Sequence, residues 1–96
     1  MSNDPSLKIA SYVGLAQRAG AVLYGEDAIK EKLKLAKVIL IDAEATEKYS
    51  ARIEKKFCMV PIFRLEGLRR ALNRDNVNAV AITNENLANA ITDILR

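Results

Sequence analysis

Apolar residues recur along this chain with two different periods, and the alternation between them predicts five helices and four strands. From Pro5 to Gly20, Leu7, Ala10, Val13 and Ala16 return every third residue, a helical spacing. Asp4 followed by Pro5 offers an N-cap and a pre-set first residue, and Gly20 offers the left-handed residue that closes the helix. Ala21 to Tyr24 reads as a short apolar strand. Gly25 then breaks the chain, and Glu26 and Asp27 set negative charge in the first turn of a second helix whose buried face is expected at Ile29 and Leu33. Val38-Ile39-Leu40-Ile41 is a continuous β-branched run, too short for a buried helix, which predicts a central strand covered on both faces.

The second half repeats the alternation. Thr46 is placed to cap a third helix with Tyr49, Ile53 and Phe57 on one side. Met59 to Phe63 returns as a strand, and Pro61 assigns that strand to an edge because proline has no ladder donor. Leu65, Leu68 and Leu72 outline a short fourth helix with arginines on its outer side, and Asn73-Arg74-Asp75-Asn76 is a loop. Val77 to Ile82 forms a fourth strand, and Asn84 caps a last helix striped by Leu87, Ile91, Ile94 and Leu95. Helices alternating with strands predict one α/β domain with a largely parallel or mixed sheet and helices on both faces. In such domains function sits on loops and helix ends at the rim of the sheet, which singles out Gly25 and the loop after Leu72.

Length and composition agree with a single domain that folds unaided: 96 residues, half of them apolar. Cys58 is the only cysteine, so no disulfide framework exists, and its place between Phe57 and Met59 predicts a buried small hydrophobe. The N-terminus carries no apolar leader and no segment is long enough to span a bilayer, so the expected location is cytoplasmic, without a membrane partner.

The net charge of +3 is modest, but its distribution is uneven. Lys30, Lys32, Lys34 and Lys37 stand against Glu31 alone, and Arg64, Arg69, Arg70 and Arg74 against Glu66 alone, while the chain after Arg74 is net acidic. Either cluster taken singly has the composition of an ordinary solvated face.

Much chemistry is excluded. With no histidine and one cysteine, histidine-based nucleophilic catalysis and zinc cages are out of reach. The carboxylate pairs Glu26/Asp27 and Asp42/Glu44 lack the shared cleft that glycosidase work needs, and capping a helix dipole suits Glu26 and Asp27 better. Gly20 to Gly25 has the glycine spacing of a phosphate-binding loop, but Glu26 and Asp27 occupy the positions of its lysine and hydroxyl residue and would repel phosphate. No G-x-x-G clamp and no aromatic-glycine strand motif is present, and the chain has only five aromatics, so base-stacking modules are also excluded.

Taken together, Gly14-Leu15-Ala16-Gln17-Arg18-Ala19-Gly20, Tyr24-Gly25-Glu26-Asp27-Ala28-Ile29 and Ala36-Lys37-Val38-Ile39-Leu40-Ile41-Asp42 resemble the kink-turn-binding ribosomal proteins of the L-seven-Ae and L-thirty-e type, most of all their small bacterial members. The likeness continues through Val60-Pro61-Ile62, Leu68 to Ala71 and Val80-Ala81-Ile82-Thr83. The resemblance implies a three-layer α/β/α sandwich around a four-stranded mixed sheet, no enzymatic activity, no cofactor and no metal. It also implies recognition of a sharply bent structured RNA, ribosomal RNA or another kink-turn RNA, in association with the ribosome.

The family's two contact regions map to Gly25 through Glu31 and to Asn73 through Ala79. The asparagine, glutamate and lysine common in the family's first turn align with Asp27, Ala28 and Glu31. The expected RNA-binding set is therefore Gly25, Glu26, Asp27, Ala28, Lys30, Glu31, Lys32, Arg69, Arg70, Asn73, Arg74, Asn76, Val77 and Asn78. Free N–H groups at a helix start attract phosphate oxygens, while lysines and arginines offset the acidic residues nearby. The other reading of the same fold is a protein-interaction adaptor whose RNA surface has decayed, favoured by a large exposed apolar patch without a continuous basic rim.

Overall fold

The computed structural model of the chain describes residues 5–96, and Asp4, the expected cap of the first helix, lies outside them. The elements follow the predicted order: α1 (Pro5–Arg18), β1 (Val22–Tyr24), α2 (Gly25–Glu31), a 3-10 turn (Leu33–Leu35), β2 (Val38–Asp42), α3 (Glu47–Lys56), β3 (Ile62–Leu65), α4 (Leu68–Leu72), β4 (Ala79–Ile82) and α5 (Glu85–Leu95). The sheet order is β1-β4-β2-β3. Only β2 and β3 run parallel, and β4 is antiparallel to both of its neighbours.

The two inner strands explain the unbroken apolar runs. Every residue of β2 and of β4 is buried, and successive side chains point to opposite faces. Val38, Leu40, Val80 and Ile82 pack against Ile9, Val13, Leu68, Leu72 and Ile91 in one layer with α1, α4 and α5. Ile39, Ile41, Ala79 and Ala81 pack against Ile29, Ile53 and Phe57 in the other layer with α2 and α3. Thr46 Oγ1 accepts from the Tyr49 N–H at 3.1 Å and Asn84 Oδ1 from the Leu87 N–H at 3.0 Å, so both predicted side-chain caps are present. Pro61 immediately precedes the edge strand β3.

Several boundaries differ from the sequence expectation, each for a local reason. Leu7 is 61% exposed, whereas Ile9 is 1% exposed and belongs to the core. At about 100° per residue, four positions three apart sweep through roughly 180°, whereas Ile9, Val13 and Ala16 stay within about 60°. The α2 helix stops at Glu31, and Leu33, only half-buried, falls in the following turn, where the Leu35 and Ala36 N–H groups reach back three residues to Lys32 and Leu33.

Cys58 is exposed rather than buried. Phe57 closes α3 and is 2% exposed, and the Val60 N–H then donates to the Phe57 carbonyl, a tight turn that turns Cys58 and Met59 outward. In consequence β3 begins at Ile62 instead of Met59. β4 begins at Ala79 rather than Val77, whose carbonyl is taken by the Arg69 side chain instead of a neighbouring strand.

Candidate nucleic-acid interface

Strand register brings the two segments singled out by sequence to the same end of the sheet. Tyr24, the last residue of β1, pairs with Val80 near the start of β4, so the start of α2 and the loop before β4 emerge side by side. β2 ends there too, since Ile41 pairs with Ala79 and the Asp42 N–H donates to the Asn78 carbonyl at 2.9 Å. Asp42 pairs in turn with Leu65, which adds the β3–α4 turn to the same rim.

At the β1–α2 junction Gly25 has φ 86°, a conformation strained for any residue with a Cβ, and the chain turns there directly from strand into helix. The helix that follows has no side-chain cap among the described residues. Its neighbours do: Thr46 caps α3, Asn84 caps α5, and the buried Asp42 carboxylate accepts from the Arg69 N–H of α4 at 3.0 Å while also accepting from the Glu44 N–H at 2.8 Å. The opening N–H groups of α2 thus face the rim without a side-chain acceptor.

Gln17 joins this junction to the loop before β4. Its Nε2 donates to the Tyr24 hydroxyl at 3.1 Å and to the Leu72 carbonyl at 2.9 Å. Leu72 is followed by Asn73, which takes the left-handed conformation at φ 57° and lets the chain leave α4 sharply. Arg74 then lays its guanidinium over the Tyr24 ring, 4.1 Å from the centroid. An exposed cation is thereby held beside the uncapped start of α2. The sequence marks Gln17 only within a segment of the family likeness and Asp42 there and as half of a carboxylate pair; the bonds they make here depend on residues far away in the chain.

The four arginines of the second basic cluster divide by role. Arg64 donates to the carbonyls of Ala43 and Ala45 at 2.7 and 2.8 Å. Arg69 donates from Nε to the Val77 carbonyl at 3.1 Å and from Nη2 to Asn78 Oδ1, with a longer pair to Glu44 at 3.4 Å. These two hold loops in place. Arg70 is exposed and its side chain makes no hydrogen bond or ion pair among the described residues, so it and Arg74 are the guanidinium groups open to a ligand. Asn73, Asp75 and Asn76 are exposed around them, while Val77 and Asn78 are half-buried.

In α2, Glu26 points toward α3 and pairs with Arg52 at 2.9 Å and Lys56 at 2.8 Å. The hydrogen bond from Lys56 holds its carboxyl below the ordinary glutamate range; desolvation opposes this, and the charge of Arg52 adds to it. On the same helix pair, burial raises the Tyr49 hydroxyl above its usual value, with the Glu26 charge contributing. Glu26 therefore does more than complement the helix dipole, and its negative charge is neutralised locally. Asp27 is exposed and Ala28 half-buried at the same turn. Lys30, Glu31 and Lys32 lie elsewhere, along a groove with Leu35, Met59 and Val60.

No three His, Cys, Asp or Glu side chains gather as a metal site among the described residues, and no described helix is long and apolar enough to cross a membrane. No family model matches the chain, and no curated protein matches it in sequence. Solved structures do match. A protein of unknown function from Bacillus halodurans C superposes with a TM-score of 0.82 at 17% identity, over 92% of this chain and 96% of that one. The 15.5kD RNA-binding protein of Giardia lamblia superposes with a TM-score of 0.72 at 19% identity, over 99% of this chain and 88% of that one. The chain is thus an α/β sandwich on a four-stranded mixed sheet, with the architecture of that RNA-binding protein.

Proposed function

We propose that this protein binds structured RNA without catalysing a reaction on it, and that the preferred target is a kink-turn in ribosomal RNA or another stable cytoplasmic RNA. The observation that carries this reading is the juxtaposition at one rim of the α2 start, Tyr24 to Ala28, and the loop Asn73 to Asn78, whose Arg74 stacks on Tyr24. Backbone N–H groups and two open guanidiniums supply phosphate contacts, and Asp27 and Asn73, Asn76 supply polar groups for base edges. The acidic content of the rim limits affinity, because Asp27, Glu44, Glu66 and Asp75 are exposed near it. The fold shared with an RNA-binding protein supports the reading.

Binding of a kink-turn RNA and of a straight duplex of equal length, measured by titration over a range of salt concentrations, tests it. The kink-turn is expected to bind more tightly, with affinity falling as salt rises. Equal binding of the two would remove kink-turn specificity, and no binding of either at low salt would remove RNA binding altogether.

A further inference from the structure

A second surface lies away from this rim, where α2 has ended and α3 returns toward β3. Leu35 is 54% exposed and Met59 88% exposed, and with Leu33 and Val60 they line a groove. Lys30, Lys32 and Lys34 stand on its edge against Glu31 alone, and Lys37 follows exposed in the chain. Both exposed apolar side chains are there because of specific turns: the 3-10 turn puts Leu35 outside, and the Phe57–Val60 turn puts Met59 outside.

We propose that this groove docks an acidic amphipathic segment of a partner protein, apolar side chains seated on Leu35 and Met59 and carboxylates meeting the three lysines. Charge complementarity and chemistry favour that occupant. No aromatic lines the groove, so it has no stacking platform for nucleobases. Its apolar centre and cationic rim match a segment that alternates leucine-like and acidic residues. The flexible thioether of Met59 suits an induced fit to such side chains. The lining of this groove includes none of Gly25, Arg70 and Arg74. The basic rim also separates this surface from the decayed-RNA-surface reading, which calls for a patch without one.

The chain has two methionines, Met1 and Met59, so a 13C-labelled Met59 methyl is assigned in the full chain by comparison with Met59→Ala. The probe is a synthetic peptide with leucine at helical i, i+3, i+4, i+7 spacing and glutamate elsewhere; its control carries lysine in place of glutamate. The glutamate peptide is expected to shift the Met59 methyl, to bind more weakly as salt rises, and to lose about tenfold or more in affinity with Met59→Ser or Leu35→Ser. Both residues are exposed, so thermal unfolding of these variants should match the parent.

The inference is overturned if the glutamate and lysine peptides bind equally, if neither binds, or if vesicles containing phosphatidylserine shift the methyl while the peptide does not. It is also overturned if a kink-turn RNA shifts the Met59 methyl and Met59→Ser weakens RNA binding, which would make the groove part of the RNA surface.

Discussion

Replacing Arg69 and Arg70 separately by alanine should produce opposite results, although the two are adjacent in sequence and both belong to one basic cluster. Arg69 has a side chain 28% exposed and donates to the Val77 carbonyl and Asn78 Oδ1; its pair with Glu44, 81% exposed and 3.4 Å away, contributes little. Two charge-assisted hydrogen bonds in a partly wet setting, less what solvent recovers, amount to about 2 kcal/mol. For a domain of this size that is a fall of about 8–16 °C in Tm. Arg70 is exposed and without a partner among the described residues, so Arg70→Ala should stay within about 0.5 kcal/mol of the parent.

In RNA binding the order changes. Arg70→Ala should flatten the log–log salt dependence by about 0.9 if its phosphate contact is to duplex nucleic acid, whereas Arg69→Ala should weaken binding by loosening the loop and leave the slope unchanged. Circular dichroism melts and RNA titrations at four salt concentrations read both effects. If Arg69→Ala melts with the parent and lowers the slope as much as Arg70→Ala, Arg69 faces RNA and the structural role assigned to it is wrong.

Two further outcomes follow from local geometry. Glu26→Gln should cost under about 1 kcal/mol at neutral pH, since its ion pairs are on the surface. Because the folded-state pKa of Glu26 is depressed, its contribution is fully present above the ordinary value of 4.5 and is lost as pH falls through the lower folded value. Denaturation curves of parent and variant should therefore converge below that pH, and a gap that persists in acid would contradict the pairing. At Asn73, where φ is 57°, alanine should cost about 1–2 kcal/mol and glycine almost nothing. Equal melting of Asn73→Ala and the parent would show that the turn does not hold that conformation.

The order of elements, the buried β2 run, the caps at Thr46 and Asn84 and the edge position of β3 were legible in sequence because each depends on residues within a few positions of one another. The candidate rim was legible only in part. Gly25 and Asn73 mark breaks in the chain and can be found locally, but which of four arginines is free depends on partners elsewhere. Arg64 is claimed by the carbonyls of Ala43 and Ala45, and Arg69 by Val77 and Asn78. Asp42 reads as the polar end of an apolar strand, and only the fold shows its carboxylate capping α4. Cys58 and Met59 misled for a related reason: an apolar stretch signals burial on average, whereas a single i→i+3 turn decides which of its residues face water.

The strand that lies between β1 and β2 is the last of the four to be synthesised. Until Ala79 to Ile82 insert, β1 has no partner strand and β2 lacks one neighbour. Closing that arrangement brings together positions more than fifty residues apart, a slow, non-local step of the kind that dominates the folding rate of mixed-sheet proteins. The rim formed by Tyr24, Gly25 and Arg74 therefore exists only once β4 is paired between β1 and β2. A chain in which β4 is not inserted carries the basic residues of the rim without their assembled arrangement.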